Sequence, residues 1–456
     1  LRDSFRKSQG KSASSSKDLR RHDSRSKDAA KDQQKSDRPV ATLAILAGVL
    51  LAGEQAETSN DDLDELGQLL ATLKIQVGGR IIQRRQKLTP KCLLGEGKVA
   101  ELKELAESVG ARLIVFDRPL SAPQVRNLEQ MTGCEVLDRT GVILEIFARH
   151  ARTTQAKTQV DIARLEYMLP RMVGAWTHLE RQRGGGVQRG MGEKQIEVDR
   201  RLARERIARL KKQLEGIQKD RQNQRKARRN ELKVALVGYT NSGKTSVMIA
   251  MTKANVQAED VLFATLDSNV RTLDPSTRPK ILLSDTVGFI RNLPHGLVES
   301  FKSTLDEVLE ADLLLHVVDI SHPHYQTQIK TTEAVLREIG AGDIPVMMVF
   351  NKMDRLDDSV LPKILRGVYR GSTFVSAHND EDMARLRRQV FRYFEENLVA
   401  AQLVVPADDP AILSQIYKSC LILESDFSVQ DEARFSVRAS PAILAKLHAY
   451  IVSVDA

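Results

Sequence analysis

Cysteine is scarce in this chain: 456 residues hold three, Cys92, Cys134 and Cys420. They lie far apart and without metal-ligand spacing. This excludes a disulfide framework and reads as reduced, buried thiols of a cytosolic type of compartment. Long apolar runs are also missing. The longest, Val40–Ala52, has 13 residues, whereas a bilayer span needs about 20. Its basic prelude is far too long for a signal peptide. The run reads as a buried strand, and no membrane insertion is expected. A mitochondrial leader is disfavoured because residues 1–38 carry six Asp, and such leaders are poor in acids.

The length suggests about three domains, and 41% apolar residues supply material for several cores. The net charge of +9 is unevenly placed. Residues 1–38 hold 12 Lys/Arg against 6 Asp, and residues 178–229 hold 17 Lys/Arg against 7 Asp/Glu. The remainder is therefore net acidic. A basic tail and a basic central segment on an acidic body suggest an extended polyanion as partner.

Residues 1–38 cannot bury a core and read as a disordered basic tail. Residues 39–150 alternate strands (Leu43–Leu50, Val77–Gln83, Arg112–Phe116, Glu135–Leu137) with helices (Asp61–Leu73, Gly97–Val109, Ala122–Met131). That alternation predicts a mainly parallel sheet covered by helices. Residues 151–231 read as a helical hairpin. Its first helix, Ala156–Val173, carries Pro170, which should kink it. In its second helix Ala203, Ile207, Leu210, Leu214 and Ile217 form a coiled-coil seam. The loop Arg181–Glu193 combines five glycines with three arginines, which suits close approach to phosphates; a flexible tip with solvated charge is the alternative. Residues 232–400 alternate β and α again. Residues 401–456 read as a small α+β domain with strands at Gln402–Val405, Ser419–Ser425 and Ala433–Ala439 and a helix at Pro441–Ile451.

Gly238-Tyr239-Thr240-Asn241-Ser242-Gly243-Lys244-Thr245 follows the apolar run Val234–Val237 and precedes a helical stretch, the context a phosphate-binding P-loop requires. Lys244 supplies charge toward the β- and γ-phosphates, and the Thr245 hydroxyl can ligate Mg²⁺. Asp285-Thr286-Val287-Gly288 follows the strand Ile281–Leu283. Asp285 can hold Mg²⁺ through water, and the Gly288 N–H can reach a γ-phosphate. Between the two lies Phe263-Ala264-Thr265-Leu266-Asp267, where Thr265 is the candidate switch residue for Mg²⁺ and γ-phosphate. Lys244, Thr265 and Gly288 are the candidate catalytic residues; Thr245, Thr265 and Asp285 are the candidate metal ligands. Asn351-Lys352-Met353-Asp354 follows Pro345–Phe350. The Asp354 carboxylate matches the N1–H and 2-amino donors of guanine, which adenine lacks. Asn351 can tie the base to the P-loop, and the Lys352 stem can cover the ring. Ser376-Ala377 completes the set, its backbone N–H reaching guanine O6. The nucleotide is thus GTP, with GDP as product and Mg²⁺ as cofactor.

One further absence matters. A Ras-like enzyme has glutamine after this glycine to orient the attacking water. Here Phe289 stands there, with no polar atom. Slow intrinsic hydrolysis, completed by a partner, is the expectation.

Together, Gly238–Thr245, Leu262–Asp267, Asp285–Ile290, Leu293–Phe301 and Leu313–Asp319 resemble the HflX family of translational GTPases. Outside the GTPase region, Leu137–Gly141, Ile146–Thr153 and Trp176–Gln182 look like that family's N-terminal part. The sequence departs from the family at Met191, where a proline is usual, and at Lys194, where a threonine is usual. Ser246 also stands in place of a common threonine, and the loop after Ala377 lacks its usual glycine. The resemblance implies an α/β architecture: a P-loop GTPase domain preceded by an α/β N-terminal domain and a long helical hairpin, followed by a small α+β C-terminal domain. It implies binding to the large ribosomal subunit and its rRNA, with the hairpin reaching the peptidyl-transferase region. It also implies a role in splitting or rescue of stalled or idle ribosomes or in large-subunit biogenesis, in a cytoplasmic, partly ribosome-associated protein that is monomeric off the ribosome. Some members are thought to bind ATP through the N-terminal domain; Gly95-Glu96-Gly97-Lys98 is the local candidate, with a helix start as the alternative. Two other functions stand beside this one. One is an RNA-binding assembly scaffold in which GTP binding but not hydrolysis matters. The other is a small signalling GTPase, which the basic hairpin disfavours.

Overall fold

A computed structural model describes residues 43–53, 56–173, 189–226, 231–252, 262–263, 269–275, 277, 279–291, 302–428 and 431–455. The basic tail lies outside the described residues, as do Arg181–Gln188 of the Gly/Arg loop, Ala264–Asp267, and the stretches 176–182 and 293–301 that share in the family resemblance.

The first sheet contains β1 (Leu43–Leu51), β2 (Gln76–Arg85), β3 (Leu113–Phe116) and β4 (Glu135–Asp138), all parallel, in the order β2-β1-β3-β4. The helices α1 (Ala56–Thr72), α2 (Glu96–Val109), α3 (Ala122–Thr132) and α4 (Arg139–His150) cover it. β1 is apolar throughout because both its faces are buried. Ile45, Ala47 and Val49 share a core with Val99 and Leu102 of α2 and Leu128 of α3. Leu46, on the other face, is fully buried, as are Leu63, Leu66 and Leu70 of α1. Gly95 starts α2 without a side-chain cap, and Lys98 pairs with Glu101 at 2.8 Å. Gly95–Lys98 is therefore a helix start.

α4 has no counterpart among the helices expected from sequence. Val142 to Phe147 are all buried, so this helix shows no polar face and no 3.6-residue signal. What starts it is Asp138, whose Oδ1 accepts the Gly141 N–H at 3.0 Å. The same carboxylate, fully buried, accepts the Leu120 N–H at 3.0 Å, the Tyr167 hydroxyl at 2.8 Å and Arg171 Nη2 at 3.0 Å. It therefore fastens the N-terminal sheet to α5 (Thr154–Met168) and the turn after it. α6 (Arg189–Lys226) follows. Pro170 does not kink α5: the α-helix stops at Met168, and Leu169–Val173 form a 3₁₀ turn around the missing N–H. α6 begins at Arg189, so the last five residues of the expected loop are helical. Ala203 and Ile207 of its seam are buried, packed where α5 and α6 meet, and Lys211 reaches Glu166 of α5 at 2.9 Å.

The second sheet contains β5 (Leu232–Val237), β6 (Asn269–Thr272), β7 (Ile281–Asp285), β8 (Leu313–Asp319), β9 (Val346–Asn351) and β10 (Thr373–Phe374), in the order β10-β9-β8-β5-β7-β6. Among these described strands only the β6–β7 pair is antiparallel. The helices are α7 (Lys244–Thr252), α8 (Lys302–Leu309), α9 (Tyr325–Glu338), α10 (Leu361–Val368) and α11 (Asp380–Glu396).

The C-terminal part runs β11 (Val399–Pro406), α12 (Pro410–Ser419), β12 (Leu421–Asp426), β13 (Glu432–Ala439), α13 (Pro441–Lys446) and β14 (Ile451–Asp455). Its antiparallel sheet is ordered β12-β13-β11-β14, a split β-α-β topology. Two elements differ from those expected. α12 is additional, and is capped by Asp409, which accepts the Ala411 N–H at 3.0 Å. The expected helix Pro441–Ile451 is shorter, because β-branched Ile451, Val452 and Val454 pass into an edge strand instead.

Asp138→Ala removes the carboxylate partner of the half-buried Arg171 guanidinium and leaves three further donors without their acceptor. The first thermal unfolding transition should fall, with a loss of roughly 3–5 kcal/mol in denaturant titration. An unchanged titration would show that the carboxylate does not join these elements.

Candidate nucleotide site

The loop Gly238–Gly243 links the end of β5 to α7, and its glycines are sterically required. Gly238 has φ +148°, and a Cβ there would lie 2.2 Å from the Val317 carbonyl oxygen. Gly243 has φ +92°, and a Cβ there would lie 2.2 Å from Asn351 Nδ2. Asn241 is left-handed at φ 59°, which its short polar side chain tolerates. Inside the loop Lys244 is buried and donates to Tyr239 O at 2.8 Å and to Gly238 O at 3.1 Å. Burial pushes its ammonium down to about 8, against the pull of Asp285. His316, beneath the loop on β8, is buried too. Burial and the Lys244 charge push its imidazole down to about 4, so it is neutral at pH 7.

Asp285 ends β7, fully buried, and its Oδ2 accepts the Thr245 hydroxyl at 2.7 Å. The structure thus brings both described candidate metal ligands together, with oxygen donors only, the set that suits Mg²⁺. The Thr240 and Ser242 hydroxyls are buried without a hydrogen-bond partner, leaving donors in the loop for an anion. Thr286 instead donates to Leu236 O at 2.6 Å, and Val287 is buried; their side chains hold the strand end.

The segment after Asp285 lies against the loop. Phe289 donates its N–H to Gly238 O at 3.1 Å, and its carbonyl accepts the Thr240 N–H at 2.8 Å. Its ring joins Ala235, Val237, Val308 and Leu314 in a core. A Cβ on Gly288 would lie 3.0 Å from Lys244 Nζ and 2.8 Å from Thr240 Cα, so only glycine fits there.

On the other side, Asn351 donates from Nδ2 to Ser242 O at 2.9 Å, and its Oδ1 accepts the Ala377 N–H at 3.1 Å. Asp354 accepts the Ser376 hydroxyl at 2.6 Å, which holds its carboxyl below the usual range. The Ser376 N–H goes to Asp382 at 2.8 Å. Lys352, left-handed at φ 64°, pairs with Asp319 at 2.7 Å. Met353 packs among Phe350, Leu365 and Phe374. A cleft of about 1230 Å³ runs beside the P-loop, lined by Tyr239, Asn241 and Lys352 on one side and by Asp61, Glu65 and Gln68 of α1 on the other.

Phe263, a candidate nucleotide contact from sequence, does not face the P-loop. It is buried edge-on against Phe147 of α4 (ring centroids 4.8 Å apart), and its carbonyl lies 2.8 Å from His150 Nδ1. Glu65, Asp62, Arg139, His150 and Arg291 escaped the sequence motifs and meet the site at Tyr239, next to it, or at Phe263. The Tyr239 hydroxyl donates to Glu65 and accepts the Arg291 N–H at 2.9 Å. Glu65 pairs with buried Arg139, and Arg291 pairs with Asp62 at 3.1 Å. A signal was present for two of them: Arg139 and His150 lie in the stretches 137–141 and 146–153 that resemble the family's N-terminal part.

Three family models match in succession: a GTP-binding GTPase N-terminal region over 60–148, a GTP-binding GTPase middle region over 150–228, and a 50S ribosome-binding GTPase over 233–352. The GTPase HflX of Gluconacetobacter diazotrophicus is 42% identical over 448 residues, covering 90% of this chain and 98% of that protein. The GTPase HflX of Escherichia coli is 39% identical, covering 85% and 94%. A GTP-binding protein of Sulfolobus solfataricus, solved with GDP, is 24% identical with a TM-score of 0.41, covering 78% of this chain and 99% of that one. Matched across nearly the whole length of such relatives, the chain belongs to the HflX family of GTPases, enzymes that hydrolyse GTP.

Proposed function

We propose that this GTPase works on the large ribosomal subunit and its rRNA, in splitting or rescue of stalled or idle ribosomes or in large-subunit biogenesis. The GTPase part matches a model described as 50S ribosome-binding. Among described residues of α6, Arg201, Arg204, Arg209 and Lys212 are exposed on the side away from the seam, where they can meet phosphates. In this reading the protein is cytoplasmic, monomeric off the ribosome and not membrane-inserted. No helix among the described residues is long and apolar enough to cross a membrane. The domains are bounded at 39–150, 151–231, 232–400 and 401–456.

The observation that carries the nucleotide roles is the convergence of Lys244, the Thr245–Asp285 pair and the Asn351–Ser242 tie on one loop. Backbone N–H groups of Gly238–Thr245 cradle the phosphates. Lys244 leaves its two carbonyl partners for the β- and γ-phosphate oxygens, and the Gly288 N–H meets the γ-phosphate. Thr245, Asp285 and Thr265 would hold Mg²⁺, which neutralises phosphate charge when bound. Asp354, kept ionised, takes the guanine N1–H and 2-amino donors, and Ala377 exchanges its Asn351 partner for O6. Phe289 is committed to the core and orients no water, so a catalytic group must come from elsewhere.

Lys244 titrates near 8 in the free protein, and a bound phosphate raises it. Affinity for GDP is therefore full below that pH and falls as pH rises above it. Binding at about pH 9 should take up close to one proton, read by calorimetry in buffers of different ionisation heat. No uptake would contradict the assignment.

Asp354→Asn puts a donor opposite guanine donors and should weaken GTP binding roughly 10³-fold or more, with little effect on ATP. Equal affinity for GTP in the variant and the parent would remove Asp354 from the base site.

Large subunits should raise GTP turnover by about tenfold or more, and co-sedimentation with them should fall steeply between about 50 and 200 mM salt. Fast hydrolysis by the protein alone would defeat the missing-group argument. A Lys244→Ala variant and a hydrolysis-blocked variant that both split ribosomes like the parent would defeat the switch model; a hydrolysis-blocked variant that works while Lys244→Ala fails would favour the scaffold reading.

A further inference from the structure

Arg139 and His150 sit at opposite ends of α4, and both lead to segments of the GTPase domain that flank the phosphate loop. Arg139, buried beneath α1, holds the Glu65 carboxylate. Glu65 Oε1 accepts the hydroxyl proton of Tyr239, the second residue of the loop Gly238–Thr245. The Tyr239 oxygen in turn accepts the backbone N–H of Arg291, three residues past Gly288. Burial and the Glu65 charge push the phenol well above its ordinary value, so it stays a donor at working pH. One hydroxyl thus joins the N-terminal domain, the phosphate loop and the segment after Asp285.

That junction has a steric consequence. Gly288 lies so close to Lys244 that a Cβ would be 3.0 Å from Nζ. The Phe289 backbone is bonded to Gly238 and Thr240 on either side of Tyr239. A γ-phosphate must enter between Lys244 and Gly288, where the closed bridge holds the Gly288 backbone against the lysine side chain. A diphosphate has no such requirement. The closed bridge therefore favours GDP over GTP, and whatever stabilises it sets the preference.

We propose that Glu65, held by Arg139, is a positioning residue for nucleotide discrimination: through the Tyr239 hydroxyl it keeps the Phe289–Arg291 backbone closed on the P-loop, so that a γ-phosphate must displace this contact and the N-terminal domain registers which nucleotide is bound. Asp62 supports the same state by pairing with the Arg291 guanidinium. This inference rests on the reading of Lys244 and Gly288 as γ-phosphate contacts. Loss of binding to both nucleotides in Lys244→Ala tests the Lys244 part of that reading separately.

The test uses the full chain and compares a non-hydrolysable GTP analogue with GDP by fluorescent-nucleotide titration. Glu65→Ala should raise the ratio of analogue affinity to GDP affinity by about tenfold, the scale of one hydrogen bond to a charged group. Tyr239→Phe should raise it similarly, and the double variant should match either single one. Glu65→Gln, which keeps an acceptor for the phenol, should retain most of the parent's discrimination. A merely structural role would weaken both nucleotides together and leave the ratio unchanged, which would overturn the proposal. Additive effects in the double variant would also overturn it. If Glu65→Ala does not fold, Tyr239→Phe and Glu65→Gln decide the matter in its place, since each alters a single terminal group.

Discussion

Two backbone hydrogen bonds between Phe289 and the residues flanking Tyr239 set the state of the whole site. They lock the end of β7 to the end of β5, place Gly288 over Lys244, and fix the Phe289 ring in the core beside Ala235 and Val237. A hydrophobic residue where related switches carry glutamine is consistent with this packing. The side chain that could have oriented water instead anchors the closed arrangement. In the proposed reading, chemistry depends on opening the bridge and on a catalytic group that Phe289 does not supply.

The charge arrangement around that bridge points the same way. Lys244 is kept buried, its ammonium pushed down to about 8 but still charged at pH 7, above a neutral His316, with Asp285 as the attractive carboxylate. Such a lysine gains most from a phosphate, because an anion restores what burial removed. On the base side the Asn351 amide spans from Ser242 to Ala377, tying the loops proposed to read guanine to the phosphate loop. The N-terminal domain touches this body through short polar contacts, Glu65 to Tyr239 and Asp62 to Arg291, and through Phe263 seated on α4. Polar contacts of this kind hold a geometry and break without exposing a core.

Much of this was legible in the sequence. The first sheet could be read because its apolar runs are bounded by polar helices, and the phosphate loop because its glycines occupy positions no other residue can. The Asn351 tie to the P-loop was readable from the Asn351–Asp354 motif, although β8 separates its strand from β5. α4 was not legible, since a helix buried on every side loses its period. The end of α5 at Pro170 and the strand at Ile451–Asp455 depended on local competition that pattern alone does not resolve. Tyr239, Glu65 and Arg139 were separated by 74 to 174 residues of chain, and no periodicity connects residues across such a distance. Arg139 stood within a stretch that carries the family resemblance, but its partner is fixed only by how α1 crosses the loop.

The most direct measurement is a structure of the full chain with Mg²⁺ and a non-hydrolysable GTP analogue. The account predicts that the Phe289 N–H leaves Gly238 O, the Gly288 N–H meets the γ-phosphate, and the Tyr239 hydroxyl parts from Arg291 N or Glu65. A γ-phosphate accommodated with the Phe289 bridge and the Tyr239 contacts intact would contradict it.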